Sequence, residues 1–202
     1  MATSAQISPL TFRCAVSVDI PALLILIQSA YRGEESRRGW TTEADLLDGR
    51  RIDSDGIRQL IATPRSCMLL AVSDGDLVGC CYVEARTGGE AYLGLLSVRP
   101  GLQGRGVGRV VVAKAEDEAR ARWAAAQMRM RVIRQREDLI AWYERLGYRR
   151  NGETVPFPYE TPGVIAKRSD LEFVVLIKPI DSSSVIARER FAAGLLGGDE
   201  GR

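Results

Sequence analysis

The stretch that most constrains the fold is VRPGLQGRGVGRVVVAKAEDEAR, residues 98–120, with glycines at every second position from 104 to 108. Glycine has no Cβ, so such a loop can take positive φ angles and let its backbone approach a ligand closely. The residues that follow are predicted to form a helix, whose first N–H groups and positive dipole end favour an anion such as phosphate. The stretch therefore predicts a strand, a phosphate-binding loop and a helix in succession.

The composition is that of one globular domain. The chain has 202 residues, of which 46% are hydrophobic and 27% are charged, which is enough for a normal core. The formal net charge of +2 is too balanced to indicate nucleic acid or a membrane surface as a partner. No apolar run approaches the roughly 18 residues of a membrane span. Because the first residues do not resemble a signal peptide either, we expect a cytoplasmic protein.

The chain contains no histidine. This excludes Ser-His-Asp and Cys-His catalysis and zinc sites with histidine ligands, and we predict no metal site. Proton transfer must then use a carboxylate, tyrosine, cysteine, lysine or water. The four cysteines show no CxxC pair. Cys80 and Cys81 lie in an apolar strand, where we expect small buried hydrophobes in a reducing environment.

Hydrophobic periodicity and turn residues predict an antiparallel meander followed by alternating helices and strands. Strands are predicted at residues 10–16, 67–86 (a hairpin turning at 74–76), 90–98, 127–133 and 171–178. Helices are predicted at 19–31, 41–49, 53–63, after the glycine loop to 123, and 137–146. The class is α+β, with a mixed, mostly antiparallel central sheet flanked by helices. We expect one domain over residues 1–180 and a mobile C-terminal tail at 181–202.

Three phosphate-binding designs can be compared with the glycine loop. A P-loop requires Gly-Lys-Ser/Thr at the helix start, where this chain has Val107-Gly108-Arg109. A dinucleotide-binding fingerprint requires GxGxxG inside a βαβ unit, whereas this loop has GxGxG spacing and follows about a hundred residues of antiparallel strands. The third design is Q/R-x-x-G-x-G/A after a strand and a proline-containing turn. Residues 103–108 match it at every fixed position.

In this third pattern the chain resembles the GNAT superfamily of N-acetyltransferases, which hold the pyrophosphate of acetyl-coenzyme A (acetyl-CoA) in that loop. A second motif supports the resemblance. Residues 139–153, LIAWYERLGYRRNGE, are similar to the late helix and strand of the family, with 143–148 as its YxxLGF-type segment. The two motifs stand in the expected order around a helix and a strand of the expected lengths. The similarity covers roughly residues 10–178 and implies the GNAT fold.

The resemblance implies a binding stretch for acetyl-CoA. Backbone N–H groups of the glycine loop would hold its pyrophosphate, and the end of the preceding strand would pair with its pantetheine arm and supply an oxyanion donor. The family often has an asparagine seven residues before its tyrosine, where this chain has Arg136, which either contacts the phosphates or is solvated. The residues implied for the cofactor are Leu96, Ser97, Val98, Gln103, Gly104, Arg105, Gly106, Val107, Gly108, Arg109 and Arg136.

The catalytic acid implied by the resemblance is Tyr143, which would protonate the leaving thiolate. Packing is an alternative role, because Leu139 and Leu146 share its helix face. The attacking amine also needs a proton acceptor, which without histidine is a carboxylate or a water chain. Some family members place a glutamate where this chain has Tyr92, so the base stays open. The candidate bases are Glu34, Glu35, Glu84 and Glu90.

The acceptor site implied by the fold lies between residues 31–47 and 156–163. Glu34, Glu35 and Glu43 are candidates to bind a cationic amine. The candidate walls of the site are Trp40, Tyr92, Phe157 and Tyr159. Two alternatives stay open: Glu34 and Glu35 form a solvated mixed-charge loop with the arginines at 37 and 38, or those arginines select an acidic substrate such as an amino acid.

Together these observations predict a cytoplasmic acyltransferase of the GNAT type that moves an acetyl group from acetyl-CoA to a primary amine of a small molecule. Because no cysteine is placed like a nucleophile, we expect direct transfer within a ternary complex. The alternatives are a protein lysine or N-terminal acetyltransferase and a non-catalytic acyl-CoA-binding protein. The family resemblance also implies a homodimer through the late strands, and no nucleic-acid or membrane partner is expected.

Overall fold

The structure is a computed structural model that describes residues 8–180. The tail predicted at 181–202 lies outside the described residues. The strands are β1 (Thr11–Cys14), β2 (Leu47–Gly49), β3 (Ser66–Ser73), β4 (Asp76–Ala85), β5 (Glu90–Val98), β6 (Gln127–Ile133), β7 (Arg149–Pro156), β8 (Val164–Ala166) and β9 (Glu172–Pro179). The helices are α1 (Ile20–Tyr31), α2 (Gly33–Ser36), α3 (Ser54–Ala62), α4 (Val107–Trp123) and α5 (Glu137–Arg145).

The main sheet has seven strands in the order β1-β3-β4-β5-β6-β9-β7, and β2 and β8 form a separate pair. Every neighbouring pair of the main sheet is antiparallel except β5 and β6. Helix α4 packs on one face of the sheet, whereas α1 and α3 cover the other. The predicted α+β class with a mixed, mostly antiparallel sheet is therefore confirmed.

The parallel strands β5 and β6 separate after a short contact. Their pairing is confined to Glu90–Tyr92 against Gln127–Arg129 among the described residues. Further along β5 the register against β4 shifts between Cys80 and Tyr82, and Leu95 has a φ of 51°. A bulge of this kind bends a strand and increases its twist. The end of β5 thus leaves the neighbouring strand, and the sheet opens at this point.

Several predicted elements agree with the structure, including α1, α3, the β3–β4 hairpin, β5, β6 and α5. The helix predicted at 41–49 is wrong: residues 47–49 form β2 instead. Leu47 is buried and β2 pairs with β8, which the sequence-based element assignment did not contain. Strand pairing with a distant segment outweighed the local helical pattern here. Strand β7 was implied only by the family resemblance, because its residues are almost all exposed and show no alternation.

The cysteines differ in part from expectation. Cys14 and Cys67 form a disulfide that joins β1 to β3, 53 residues apart in the chain. The expectation of a reducing environment did not anticipate this bond. Cys80 and Cys81 are free and buried, as predicted. Burial raises the pKa of Cys80 to about 12, so this thiol stays protonated near neutral pH. None of the described helices is long and apolar enough to span a bilayer.

A buried ion pair links the two motifs found in the sequence. Lys178 on β9 donates to both carboxylate oxygens of Glu116 on α4, at 2.6 Å each. Tyr148, which follows α5, donates its hydroxyl to the same carboxylate at 2.9 Å. All three residues are buried. A buried charge without its partner is strongly destabilising, so this contact makes the position of α4 depend on β9 and on the chain after α5.

We predict that Glu116→Gln lowers the free energy of unfolding by about 3–5 kcal/mol, because it leaves the Lys178 ammonium buried without a counter-charge. The matched control is Asp117→Asn on the same helix, which breaks an exposed pair with Arg120. Its effect should be about 1 kcal/mol or less. Chemical denaturation of both variants measures the difference. Equal effects of the two substitutions would contradict a dominant role for the buried pair.

Candidate functional site

The glycine loop occupies the bend between the end of β5 and the start of α4. Gly104 and Gly106 have φ angles of 77° and 88°, a region that only glycine enters without cost. A Cβ built on either residue would meet no atom within 4 Å. Gly106 is the N-cap residue of α4 and supplies no side-chain cap. The first N–H groups of a 17-residue helix therefore face open space, as an anion site requires.

The side chain of Gln103 attaches the loop before β2 to the end of β5. Its Oε1 accepts hydrogen bonds from the backbone N–H groups of Trp40 at 3.0 Å and Thr41 at 3.3 Å. Its Nε2 donates to the carbonyl of Val98 at 3.1 Å. Gly39 packs so closely that a Cβ there would lie 2.4 Å from Oε1 of Gln103. Gln103 thus braces one wall of the site in addition to being part of the glycine motif.

A cavity of about 750 Å³ extends from the glycine loop along the end of β5 to α5. Its charged lining among the described residues consists of Arg109, Arg136, Arg145 and Asp138, so the wall is net positive. The residues predicted for the cofactor that line this cavity are Leu96, Val98, Gln103, Gly104, Gly106, Gly108, Arg109 and Arg136. Of the remaining three, Ser97 and Val107 are buried in the core and Arg105 is exposed.

A second, smaller cavity of about 60 Å³ lies where β5 and β6 separate. Its walls include residues 92–96 of β5 and 130–133 of β6. The two cavities meet at residues that line both of them, which are Tyr31, Leu96, Arg136, Leu139 and Tyr143. A ligand in the groove along the glycine loop and a ligand in the strand gap would therefore meet beside Tyr143.

Tyr143 is buried on α5 within an aromatic cluster. The centroid of its ring lies 4.8 Å from that of Trp142 and 5.7 Å from that of Tyr148, both edge-on. Burial raises the pKa of the Tyr143 hydroxyl, with a further contribution from Tyr31 and an opposing one from Arg136. The hydroxyl is thus protonated at any physiological pH and available as a proton donor at the junction of the cavities.

Tyr31, at the end of α1, is a site residue that the sequence analysis did not identify. Its hydroxyl donates to the carbonyl of Leu96 at 2.9 Å. Burial raises its pKa to about 12, so that it too stays protonated. Because the hydroxyl of Tyr31 already donates its proton to β5, Tyr31 positions the end of that strand. Tyr143, on α5, is the other tyrosine that lines both cavities.

Glu43 is a buried carboxylate held by arginines from two sides. Arg32 donates to one oxygen, and Arg136 donates to the other at 2.9 Å and also to the carbonyl of Thr41. Burial raises the pKa of Glu43, but Arg136, Arg51 and Arg32 more than offset it, and the pKa is lowered overall. Arg136 is consequently not a solvated residue, because only 9% of its side chain is exposed.

The carboxylates proposed as bases lie outside both cavities. Glu34 and Glu35 are paired with Arg37 and Arg38, and their side chains are 92% and 56% exposed. Glu84 contacts the Tyr82 hydroxyl and Arg86, whereas Glu90 accepts a hydrogen bond from Gln127. The carboxylates that line the two cavities within residues 8–180 are Asp138 and Glu43.

The predicted acceptor walls are divided between three places. Trp40 lines the larger cavity and contacts Trp142 edge-on, with ring centroids 6.0 Å apart. Tyr92 lines the smaller cavity. Phe157 stacks on Phe173, which also lines the smaller cavity. Tyr159 packs on Phe157, and its hydroxyl bonds to the backbone of Leu171, so these two residues form a layer behind the wall.

A second residue that the sequence analysis missed is Arg51, which lines the smaller cavity. No local signal marks it or Tyr31, since an arginine after a short strand and a tyrosine at a helix end are ordinary. Both reach the site only because α1 and the segment before α3 pack over the end of β5. Residues 8–180 contain no group of three or more acidic or cysteine side chains that could hold a metal ion.

Known proteins resemble this chain in sequence pattern and in fold. The Acetyltransferase (GNAT) family matches residues 26–148, which is more than half of the chain and includes the glycine loop and the YxxLGF-type segment at 143–148. A search of curated protein sequences gave no significant match.

Among solved structures, the ribosomal-protein-S18-alanine N-acetyltransferase from Escherichia coli superposes with a TM-score of 0.63 at 18% identity, over 86% of this chain and 95% of that one. An N-acetyltransferase from Staphylococcus aureus Mu50 gives 0.61 at 13% identity, over 86% and 100%. The IAA acetyltransferase from Bacillus cereus gives 0.59 at 14% identity, over 85% and 99%. These likenesses show a shared fold. With the family match over more than half its length, the chain belongs to the GNAT family of acetyltransferases.

Proposed function

We propose that this acetyltransferase uses acetyl-CoA to acetylate a primary amine of a small molecule by direct transfer within a ternary complex. The observation that carries the proposal is the position of Tyr143, which lines both the larger cavity along the glycine loop and the smaller cavity in the strand gap. Two substrates bound in these cavities meet at a protonated hydroxyl. Direct transfer needs this meeting point and no intermediate attached to the protein.

The larger cavity fits acetyl-CoA at the end that would hold phosphate. The first N–H groups of α4 lack a side-chain cap, and Gly104 and Gly106 leave open space in front of them. Arg109 and Arg145 add positive charge along the same wall. When bound, acetyl-CoA supplies the activated acetyl group as a thioester. The backbone at Leu96 and Val98 would hold its arm where β5 has left β6.

Tyr143 would hold the proton that the departing sulfur requires. As the bond between the amine nitrogen and the acetyl carbon forms and the carbon–sulfur bond breaks, the Tyr143 hydroxyl gives its proton to sulfur and recovers one from solvent. Its raised pKa keeps the proton on oxygen until then. The aromatic cluster around the ring limits its motion, which favours a fixed donor geometry.

The proton of the attacking ammonium leaves through water in this proposal. The cavity carboxylate nearest the strand gap is Glu43, and its lowered pKa makes it a weak proton acceptor. Glu34, Glu35, Glu84 and Glu90, the bases considered from the sequence, remain candidates only if one of them reaches the cavities through such a water chain. A carboxylate clamped by Arg32 and Arg136 is better suited to shaping the cavity than to moving protons.

The size of the smaller cavity favours a small molecule as acceptor over a lysine or N-terminus on a protein. Its volume is about 60 Å³, and one water molecule needs about 10–15 Å³. Residues of β5, β6 and α5 surround it. A small acceptor can enter this cavity as a complete molecule and contact all of its walls. A residue of a long peptide would leave most of the peptide outside the cavity.

We predict that Gly106→Leu weakens acetyl-CoA binding by more than tenfold, because a side chain would fill the space before α4. The matched control is Gly75→Leu, at a turn with a comparable φ of 82° and equally open surroundings. Both substitutions should cost about 1–2 kcal/mol of stability, and only the first should change the dissociation constant measured by calorimetry. Loss of binding in both variants would point to unfolding rather than to the loop.

We predict that Tyr143→Phe lowers kcat by about 10²–10³-fold and leaves the dissociation constant of acetyl-CoA within about twofold of that of the parent. The ring that packs in the cluster is retained and only the proton donor is lost. Tyr148→Phe is the control, because its hydroxyl bonds to Glu116 in the core. That variant should lose stability but keep its turnover per folded molecule. A Tyr143→Phe enzyme with normal kcat would contradict the assigned role.

A further inference from the structure

Arg51 is a cation in the smaller cavity without an ion pair in the described part of the chain. Its guanidinium carbon lies 5.1 Å from the centroid of the Tyr31 ring, a cation–π contact. The ion pairs of residues 8–180 do not include it, whereas Arg32 and Arg136 are both bonded to Glu43. The residue is half-buried and lines the cavity directly.

The charge around the smaller cavity is unbalanced. Its charged lining among the described residues consists of Arg51, Arg131 and Arg136 against Glu43. Glu43 has one negative charge and already receives direct hydrogen bonds from two arginines. Arg51 stabilises that carboxylate electrostatically without a direct bond to it, and the arginines around one negative charge leave the cavity net positive. A pocket for a simple cationic amine would be expected to carry the opposite charge.

Within residues 8–180 the backbone N–H of Arg51 donates to Gln28, but its guanidinium makes no hydrogen bond. A cation–π contact satisfies part of the charge of a guanidinium but does not use its five N–H donors. Those donors form a planar fork that matches a carboxylate. Tyr31 supports Arg51 from one side and is itself fixed by its hydrogen bond to Leu96. The fork is thus held in place by the same strand end at which the acetyl group would be transferred.

From this arrangement we propose that the acceptor is a small amino carboxylate, with its amine beside Tyr143 and its carboxylate on Arg51. This inference rests on the proposed function, because it names the substrate class of that site. Arg51 lines the smaller cavity alone, whereas Tyr143 lines both, so the carboxylate lies on the side away from acetyl-CoA. A volume of about 60 Å³ corresponds to about four to six water-sized atoms, which limits the acceptor to a short chain.

The test compares matched pairs of acceptors by the release of thiol from acetyl-CoA. Glycine, β-alanine and 4-aminobutyrate are each paired with the corresponding amide, which keeps the amine and removes the negative charge. For the preferred chain length, the carboxylate should have a kcat/KM about ten- to a hundredfold above that of its amide, the effect of one charged hydrogen-bonding pair. An equal or higher kcat/KM for every amide would overturn the inference.

Arg51→Gln tests the assigned residue, and Arg50→Gln is its matched control at an exposed neighbouring arginine outside both cavities. Arg51→Gln should abolish the preference for the carboxylate by raising its KM, without changing the KM of the amide or of acetyl-CoA. Arg50→Gln should retain the preference. A preference that survives in Arg51→Gln would overturn the role of Arg51.

Calorimetry separates this inference from the proposed function. The probes are the same amino carboxylates titrated into the protein saturated with coenzyme A. Binding that depends on Arg51, without turnover, would support the acceptor class and contradict the catalytic proposal. Turnover of amides alone, with no carboxylate binding, would overturn the inference and leave the proposed function in place. If neither binding nor turnover is found with any probe while acetyl-CoA binds, the acceptor class is overturned.

Discussion

The separation of β5 from β6 is the feature on which the rest of the site depends. Three residue pairs join these parallel strands before the bulge at Leu95 turns β5 away. Backbone that leaves a sheet must find other hydrogen-bond partners. The carbonyl of Leu96 finds one in the hydroxyl of Tyr31. The gap between the strands then provides a cavity on one side of the strand end, and the groove leading to the glycine loop lies on the other.

Buried charge is used in two different ways in this fold. The pair of Glu116 and Lys178 lies in the core and ties α4 to β9. The group around Glu43 lies at the wall of the cavities, where Arg32 and Arg136 fix the loop before β2 against the start of α5. Both carboxylates are balanced by direct partners, as burial requires. The difference is that two arginines bond to the single carboxylate of the second group, which therefore has an excess of positive charge.

The absence of histidine shapes the chemistry of the site. With no histidine to titrate near neutral pH, the proton donor that we propose at the junction is Tyr143, whose pKa is raised by burial. Such a hydroxyl stays protonated at physiological pH and can donate a hydrogen bond to a charged atom placed next to it. A thiolate formed during transfer accepts such a hydrogen bond, although it is less basic than a phenolate, since an unperturbed thiol has a pKa of about 8.5 and an unperturbed tyrosine one of about 10. In the proposed mechanism, burial thus keeps the Tyr143 hydroxyl protonated for the moment when charge develops on sulfur.

The local parts of this protein could be predicted from its amino-acid sequence. The loop at 103–108 could be predicted because positive φ angles demand glycine, and α1, β5, β6 and α5 could be predicted because their hydrophobic patterns match one secondary structure. These signals lie within a few neighbouring residues. The order of the motifs then sufficed for the family, which the match over 26–148 bears out.

Which polar residues meet at the site depends on tertiary packing and could not be predicted from local patterns. Glu34 and Glu35 were as plausible in sequence as Glu43, yet they pair with arginines at the surface while Glu43 is buried. Arg51 and Tyr31 lie 20 residues apart and meet because both pack over the end of β5. The same holds for the disulfide of Cys14 and Cys67 and for the pairing of β2 with β8. Such contacts depend on how distant segments pack, and no local pattern of residues encodes that.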